Sequence, residues 1–111
     1  MRTVTLGVAS RDPFSARVVS ALKGEPQGEH VTFESIDLLL ATLTPNRLAI
    51  LKLLTSGGPQ TLHALARLAG RDLRAIRRDV RALLDVGVLD RQADGIIVFP
   101  YDNVQVKFTL K

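Results

Sequence analysis

Between residues 44 and 99 the chain is cut into short pieces by residues that start and stop secondary structure, and their spacing limits the fold more than anything else in the sequence. Thr44-Pro45 is a capping hydroxyl followed by a proline whose fixed φ suits the first helical position. The helix it opens places Leu48, Ile50, Leu51 and Leu54 inward and Arg47 and Lys52 outward, and Ser56-Gly57-Gly58-Pro59 stops it. Thr61 caps a second helix, with Leu62, Leu65, Ala66 and Ala69 inward and Gly70 at its end. Asp72 caps a third, running to about Val86, and Gly87 supplies a stop where a positive φ is usual. The period then shortens. Residues 88–91 and 96–99 are strand-like and flank Ala93-Asp94-Gly95, and Asp-Gly between two β-prone runs predicts a hairpin.

The flanks follow other periods. Residues 3–9 alternate, with Val4, Leu6 and Val8 to one side, which predicts a half-buried strand. Asp12-Pro13 opens a helix with Phe14, Val18, Ala21 and Leu22 on one side, and residues 24–28 form a loop. Val31 and Phe33 suggest a second strand, and Ser35 caps a short apolar helix over residues 36–43. Pro100-Tyr101-Asp102-Asn103 is a turn, with Tyr101 at the edge of the core. Val104, Val106, Phe108 and Leu110 then alternate with Gln105, Lys107 and Thr109. Both apolar strands are expected in the core, with a spare edge available to a second copy.

Composition narrows the function. A chain of 111 residues, 46% hydrophobic and 23% charged, is one ordinary globular domain. With no cysteine, disulfides, thiolate zinc sites and cysteine nucleophiles are excluded. Only His30 and His63 could supply imidazole, so a histidine-rich metal site is not expected. No apolar run approaches the ~18 residues that span a bilayer. Met1-Arg2-Thr3-Val4-Thr5-Leu6 alternates and does not read as a signal peptide. There is no P-loop, no Gly-x-Gly-x-x-Gly and no carboxylate pair at a spacing that demands shared use. Asp37, Asp79, Asp85 and Asp90 read as surface or capping residues. The expectation is a soluble cytoplasmic protein that is not an enzyme, with no cofactor, metal or membrane partner.

The net charge of +4 is concentrated. Residues 1–66 carry six basic and five acidic side chains, and residues 82–111 carry three and four. Residues 67–81 carry Arg67, Arg71, Arg74, Arg77, Arg78 and Arg81 against Asp72 and Asp79. A basic patch on a near-neutral body points to a polyanionic partner. In the third helix Leu73, Ile76, Val80, Leu83 and Leu84 fall on one stripe and Arg74, Arg77, Arg78 and Arg81 on another. At ~100° per residue the stripes are centred roughly 120° apart. One face can pack while the other carries long cationic donors outward, as the major groove of DNA demands.

Three helices followed by a hairpin, with a short joint at Gly70-Arg71, is the layout of a winged helix-turn-helix. The expected class is α+β. Segment 1–43 supplies a strand–helix–strand for dimerisation, 44–99 the winged helix-turn-helix, and 100–111 a C-terminal strand. In that layout Arg74 is best placed for base edges, and Arg77 and Arg78 reach bases or phosphates. Arg67, Arg71 and Arg81 suit phosphates, and Arg91 a minor groove or a phosphate beside the hairpin. The helix N-termini after Thr61 and Asp72 offer backbone N–H groups to phosphates. Arg81 can instead pair with Asp85 four residues on, and His63 reads as an ordinary exposed histidine.

The run from Gly58-Pro59-Gln60-Thr61 through Leu65-Ala66 to Gly70-Arg71-Asp72 resembles the start of the helix-turn-helix in MarR-like and ArsR-like winged-helix regulators. The run from Ile76-Arg77-Arg78-Asp79-Val80 to Asp85-Val86-Gly87-Val88-Leu89 resembles the end of their recognition helix. Nearly the whole chain is similar to a group of small prokaryotic predicted transcriptional regulators. The shared marks are Phe33-Glu34-Ser35, Leu43-Thr44-Pro45, Arg78-Asp79-Val80 and Pro100-Tyr101-Asp102. One departure is Ala64, where relatives commonly carry glutamate, so the capping box begun by Thr61 is incomplete. The resemblance implies sequence-specific binding to double-stranded DNA as a homodimer, in a repressor's role. Members encoded beside small toxins extend the implied partners to a toxin protein and the role to an antitoxin-type autoregulator. The alternative is a winged-helix adaptor whose arginine stripe meets an acidic protein.

Overall fold

The computed structural model describes residues 2–9 and 29–108. In chain order these form β1 (Thr3–Val8), β2 (Glu29–Phe33), α1 (Ile36–Thr42), α2 (Pro45–Gly57), α3 (Leu62–Ala69), α4 (Leu73–Asp85), β3 (Asp90–Arg91), β4 (Ile97–Val98) and β5 (Asn103–Lys107). The helix expected after Asp12 and the loop at 24–28 lie outside the described residues. The result is an α+β fold with a small sheet and, among the described residues, four helices.

β1 is the middle strand of the order β2-β1-β5 and runs parallel to both neighbours. Leu6 stands beside Val31 and Val106, and Val4 beside Val104. Side chains alternate across a strand, so one face gathers Val4, Leu6, Val31, Phe33, Val104 and Val106. The other carries Thr5, His30, Gln105 and Lys107. α1 packs against β1 and β2 with Leu39 fully buried. Val4 and Leu6 are buried as expected of a central strand. β5 departs from its expected core position: Val104 is half-buried, but Val106 and Phe108 are 41% and 42% exposed. An edge strand has a neighbour on one side only, so its apolar side chains keep an open flank. Leu110 lies outside the described residues.

The strands from opposite ends of the chain are clamped together. The Arg2 backbone N–H donates to Asp102 Oδ2 at 2.7 Å, and the Asp102 N–H donates back to the Arg2 carbonyl at 2.7 Å. The Arg2 guanidinium donates to Glu29 at 2.7 Å and lies 5.1 Å from the centre of the Tyr101 ring. Tyr101 meets Phe99 edge-on and is half-buried.

In the helical part Ile50, Leu51 and Leu54 of α2, Leu65 of α3, and Ile76, Val80 and Leu83 of α4 enclose Val88, Leu89 and Ile97. Two expectations for α2 reverse. Leu48 is exposed, and Arg47 is turned inward. Residues 47, 50, 51 and 54 follow the spacing of one helix face, so Arg47 shares the buried stripe and Leu48 does not. β3 and β4 are shorter than the runs 88–91 and 96–99. Val88 and Leu89 fold back onto α4, donating to the Leu83 carbonyl at 3.0 and 3.3 Å. Gln60 and Ile97 exchange backbone hydrogen bonds at 3.1 and 2.8 Å, which ties the entry to α3 to the hairpin. Among the described residues no single helix is long and apolar enough to cross a membrane.

Candidate functional site

Three helices are opened by hydroxyls. Ser35, Thr44 and Thr61 accept from the N–H groups of Leu38, Arg47 and Ala64 at 3.1, 3.2 and 3.1 Å. Thr61 is exposed with its oxygen engaged in this cap. Asp72 occupies the same position before α4 but makes no side-chain capping bond, which corrects its expected role. Between α3 and α4 the chain turns at Gly70, whose φ of 64° is left-handed and suits a residue without a Cβ. The Gly70 N–H donates back to Arg67, and the Arg71 N–H to Ala66 at 3.0 Å. These bonds fix how α4 leaves α3.

α4 then divides by face. Ile76, Val80 and Leu83 are buried and Leu73 and Leu84 half-buried. Arg74, Arg77, Arg78 and Arg81 are all exposed. Arg67 on α3 and Arg91 on β3 are exposed as well. Among the described residues the ion pairs are Arg2–Glu29, Arg47–Asp79 and Arg71–Asp79, so none of these six arginines is tied to a carboxylate. The Arg81–Asp85 pair does not close. Arg91 leads into a tight turn in which Gln92 donates to Ile96 and Gly95 donates to Gln92, each at 2.9 Å. His63 is exposed in the first turn of α3.

Arg71 is placed differently. Its Nη1 lies 2.9 Å from Asp79 Oδ2, an ionic contact out of line for a hydrogen bond. Asp79 Oδ1 accepts from Arg47 Nε at 3.0 Å, and Arg47 Nη1 donates to the Thr42 carbonyl at 2.9 Å. Asp79 is therefore not a surface or capping residue, because its side chain is only 8% exposed and its carboxylate joins α2, the α3–α4 turn and α4. Burial pushes its carboxyl up, but the Arg47 and Arg71 guanidiniums outweigh burial and hold it below the usual carboxylate range. One carboxylate faces two guanidiniums, so the cluster keeps a net positive charge.

The spacing of residues held the signal for this cluster. Residues 76, 79, 80 and 83 share one face of α4, as 47, 50, 51 and 54 share one face of α2. An acid on one buried stripe and a base on the other are candidates to pair.

The arrangement offers an outward row of unpaired guanidiniums on a helix whose orientation is fixed by packing, by a glycine turn and by a buried ionic cluster. Such a row can bind phosphates or base edges. Among the described residues no group of three or more His, Asp or Glu side chains could hold a metal ion. No curated protein and no solved structure matches the chain. The family model HVO_A0114 matches residues 42–106, well over half of the sequence and including α2, α3, α4 and the hairpin. The chain therefore belongs to the HVO_A0114 family.

Proposed function

We propose that this protein is a sequence-specific DNA-binding transcriptional regulator of the winged helix-turn-helix type, related to the MarR-like and ArsR-like regulators. α4 is its reading helix and the β3–β4 hairpin its wing. The observation that carries the reading is the exposure of Arg74, Arg77, Arg78 and Arg81 on one side of a helix whose opposite side is buried. Exposed Arg67 and Arg91 extend the cationic surface to the preceding helix and the hairpin. The protein acts as a homodimer, with two reading helices about one DNA turn, ~34 Å, apart. The open edge of β5, with exposed Val106 and Phe108, is a surface suited to a second copy. Occupancy of the operator then excludes or recruits polymerase.

Selection of bound sequences from a random DNA pool, followed by fluorescence anisotropy across salt concentrations, tests the proposal. Four phosphate contacts per protomer give the dimer a slope of log K against log salt of roughly −7. The triple variant Arg74→Ala/Arg77→Ala/Arg78→Ala loses binding with an unchanged circular dichroism spectrum. Flat salt dependence, or wild-type affinity in the triple variant, would defeat it. An acidic protein retained through the same arginines after nuclease treatment, with no DNA selected, favours the adaptor reading instead.

A further inference from the structure

The side chains that α4 exposes limit the bases it can read directly. Its 13 residues contain no Asn, Gln, Ser or Thr, so it lacks the amides that pair with adenine. Ala75 and Ala82 could meet a thymine methyl by type. Both are half-buried and stand roughly 100° and 80° around the axis from Arg74. What the helix exposes is Arg74, Arg77, Arg78, Arg81 and Asp85.

These positions are not equivalent. Residues 74, 78, 81 and 85 lie within an arc of roughly 60° and form one ridge, while Arg77 stands off it, roughly 60° from Arg74. From N- to C-terminus the ridge reads Arg, Arg, Arg, Asp. Among the described residues Asp85 makes no ion pair, and it stands at the helix end where a carboxylate is disfavoured. A carboxylate repels phosphates, so the ridge meets a duplex with its first arginines and not with its last turn. Arg74 and Arg78 are like charges one turn apart, and neither is paired with an acid. Guanine offers two acceptors in the major groove, O6 and N7, which relieve that repulsion.

We propose that the half-site under α4 is defined by two guanines, one paired with Arg74 and one with Arg78, each through O6 and N7. The two guanines lie about two base steps apart, because the arginines are separated by ~6 Å of helix rise and bases by ~3.4 Å. Arg77 and Arg81, with Arg67 and Arg91, go to phosphates. Adenine sets a donor beside N7 and thymine offers one acceptor beside a methyl group, so neither matches both arms of a guanidinium fork. The inference rests on the reading of α4 proposed above.

The test takes the full chain and the strongest duplex selected from a random pool, at low salt so that phosphate contacts keep weakened variants bound. The selected half-site carries guanine at two positions. Replacing either by 7-deazaguanine, which removes N7 and keeps the Watson–Crick pair, weakens binding about five- to tenfold. Inosine keeps O6 and N7 and lacks the minor-groove amino group, so it changes binding less than about twofold. The 7-deazaguanine loss vanishes at one position in Arg74→Ala and at the other in Arg78→Ala, and both losses persist in Arg77→Ala. All three residues are exposed, so the circular dichroism spectrum stays unchanged. Half-sites of A·T pairs, equal use of all four bases, an inosine loss as large as that of 7-deazaguanine, or a 7-deazaguanine loss that survives both Arg74→Ala and Arg78→Ala would overturn the proposal and leave α4 a DNA-binding helix. A chain that binds no duplex at all defeats the proposed function, and this inference with it.

Discussion

Arg47 Nε donates to Asp79 Oδ1 at 3.0 Å across 32 positions of sequence, joining the first turn of α2 to the middle of α4. The Arg47 and Asp79 side chains are 17% and 8% exposed, so water screens this pair poorly. Removing one partner leaves the other charge with little solvation. Asp79→Ala strands two guanidiniums and should cost about 3 kcal/mol, with Asp79→Asn close to it because an amide carries no compensating charge. Urea denaturation measures this directly. A midpoint within error of wild type in both variants would show that the cluster adds nothing to stability.

The same cluster sets an acid limit. Asp79 has a folded-state pKa below its ordinary value, despite the opposing effect of burial, because two guanidiniums favour the carboxylate. A depressed carboxyl contributes stability that is fully present above the unfolded value, about 3.9, and is lost as pH falls through the folded value. Wild-type stability should therefore drop more steeply on acidification below about pH 4 than that of Asp79→Asn. Parallel curves for the two proteins between pH 5 and the acid transition are expected; parallel curves below it would remove Asp79 from the account.

Much of this fold was legible locally. Thr44-Pro45, Thr61 and Ser35 announce helix starts because a capping hydroxyl acts on the next few N–H groups, and the structure places the bonds there. The two stripes of α4 follow from its period alone. Three features did not follow as easily. Arg47 and Asp79 look like surface residues by type, and only their shared spacing with Ile50 and Ile76 marks them as inward. Arg71 is recruited by that carboxylate across the turn, a contact no local rule contains. The parallel pairing of β1 with β5 joins the two ends of the chain, and alternation reveals a strand's faces without revealing its neighbour. The exposure of Val106 and Phe108 follows from that edge position.

Tyr101 is the only tyrosine and the chain has no tryptophan, so its ionisation can be read cleanly by ultraviolet absorbance. Interaction of its hydroxyl with the Glu29 carboxylate, together with burial and the charge of Glu29, raises its pKa from 10.0 to about 12 against the opposing pull of Arg2. A raised phenol contributes stability that is present below its unfolded value and lost as pH climbs through the folded one. The alkaline titration of the folded chain should therefore lie near 12, and Glu29→Gln should bring it back toward 10. Circular dichroism on the same samples identifies the folded range. A phenol that ionises at the same pH in both proteins would show that Glu29 does not hold it.

The arginines of α4 should divide by what each one touches if the helix enters the major groove. Arg74 lies in its first turn, where side chains reach base edges, and Arg81 lies two turns further on, where phosphates are nearer. A base contact contributes to discrimination and a phosphate contact to salt dependence. Arg74→Ala should cost about 1–3 kcal/mol on the selected sequence and much less on random DNA, compressing the ratio between them. Arg81→Ala should weaken both to a similar degree and reduce the salt slope by about 1.8, because the dimer loses two phosphate contacts. Arg71→Ala should resemble neither. Its guanidinium is held by Asp79, so its loss should lower the unfolding midpoint with the salt slope unchanged. Anisotropy titrations at several salt concentrations on selected and random duplexes separate these patterns. If Arg74→Ala and Arg81→Ala fell equally on every sequence, the stripe would be gripping a polyanion without reading it.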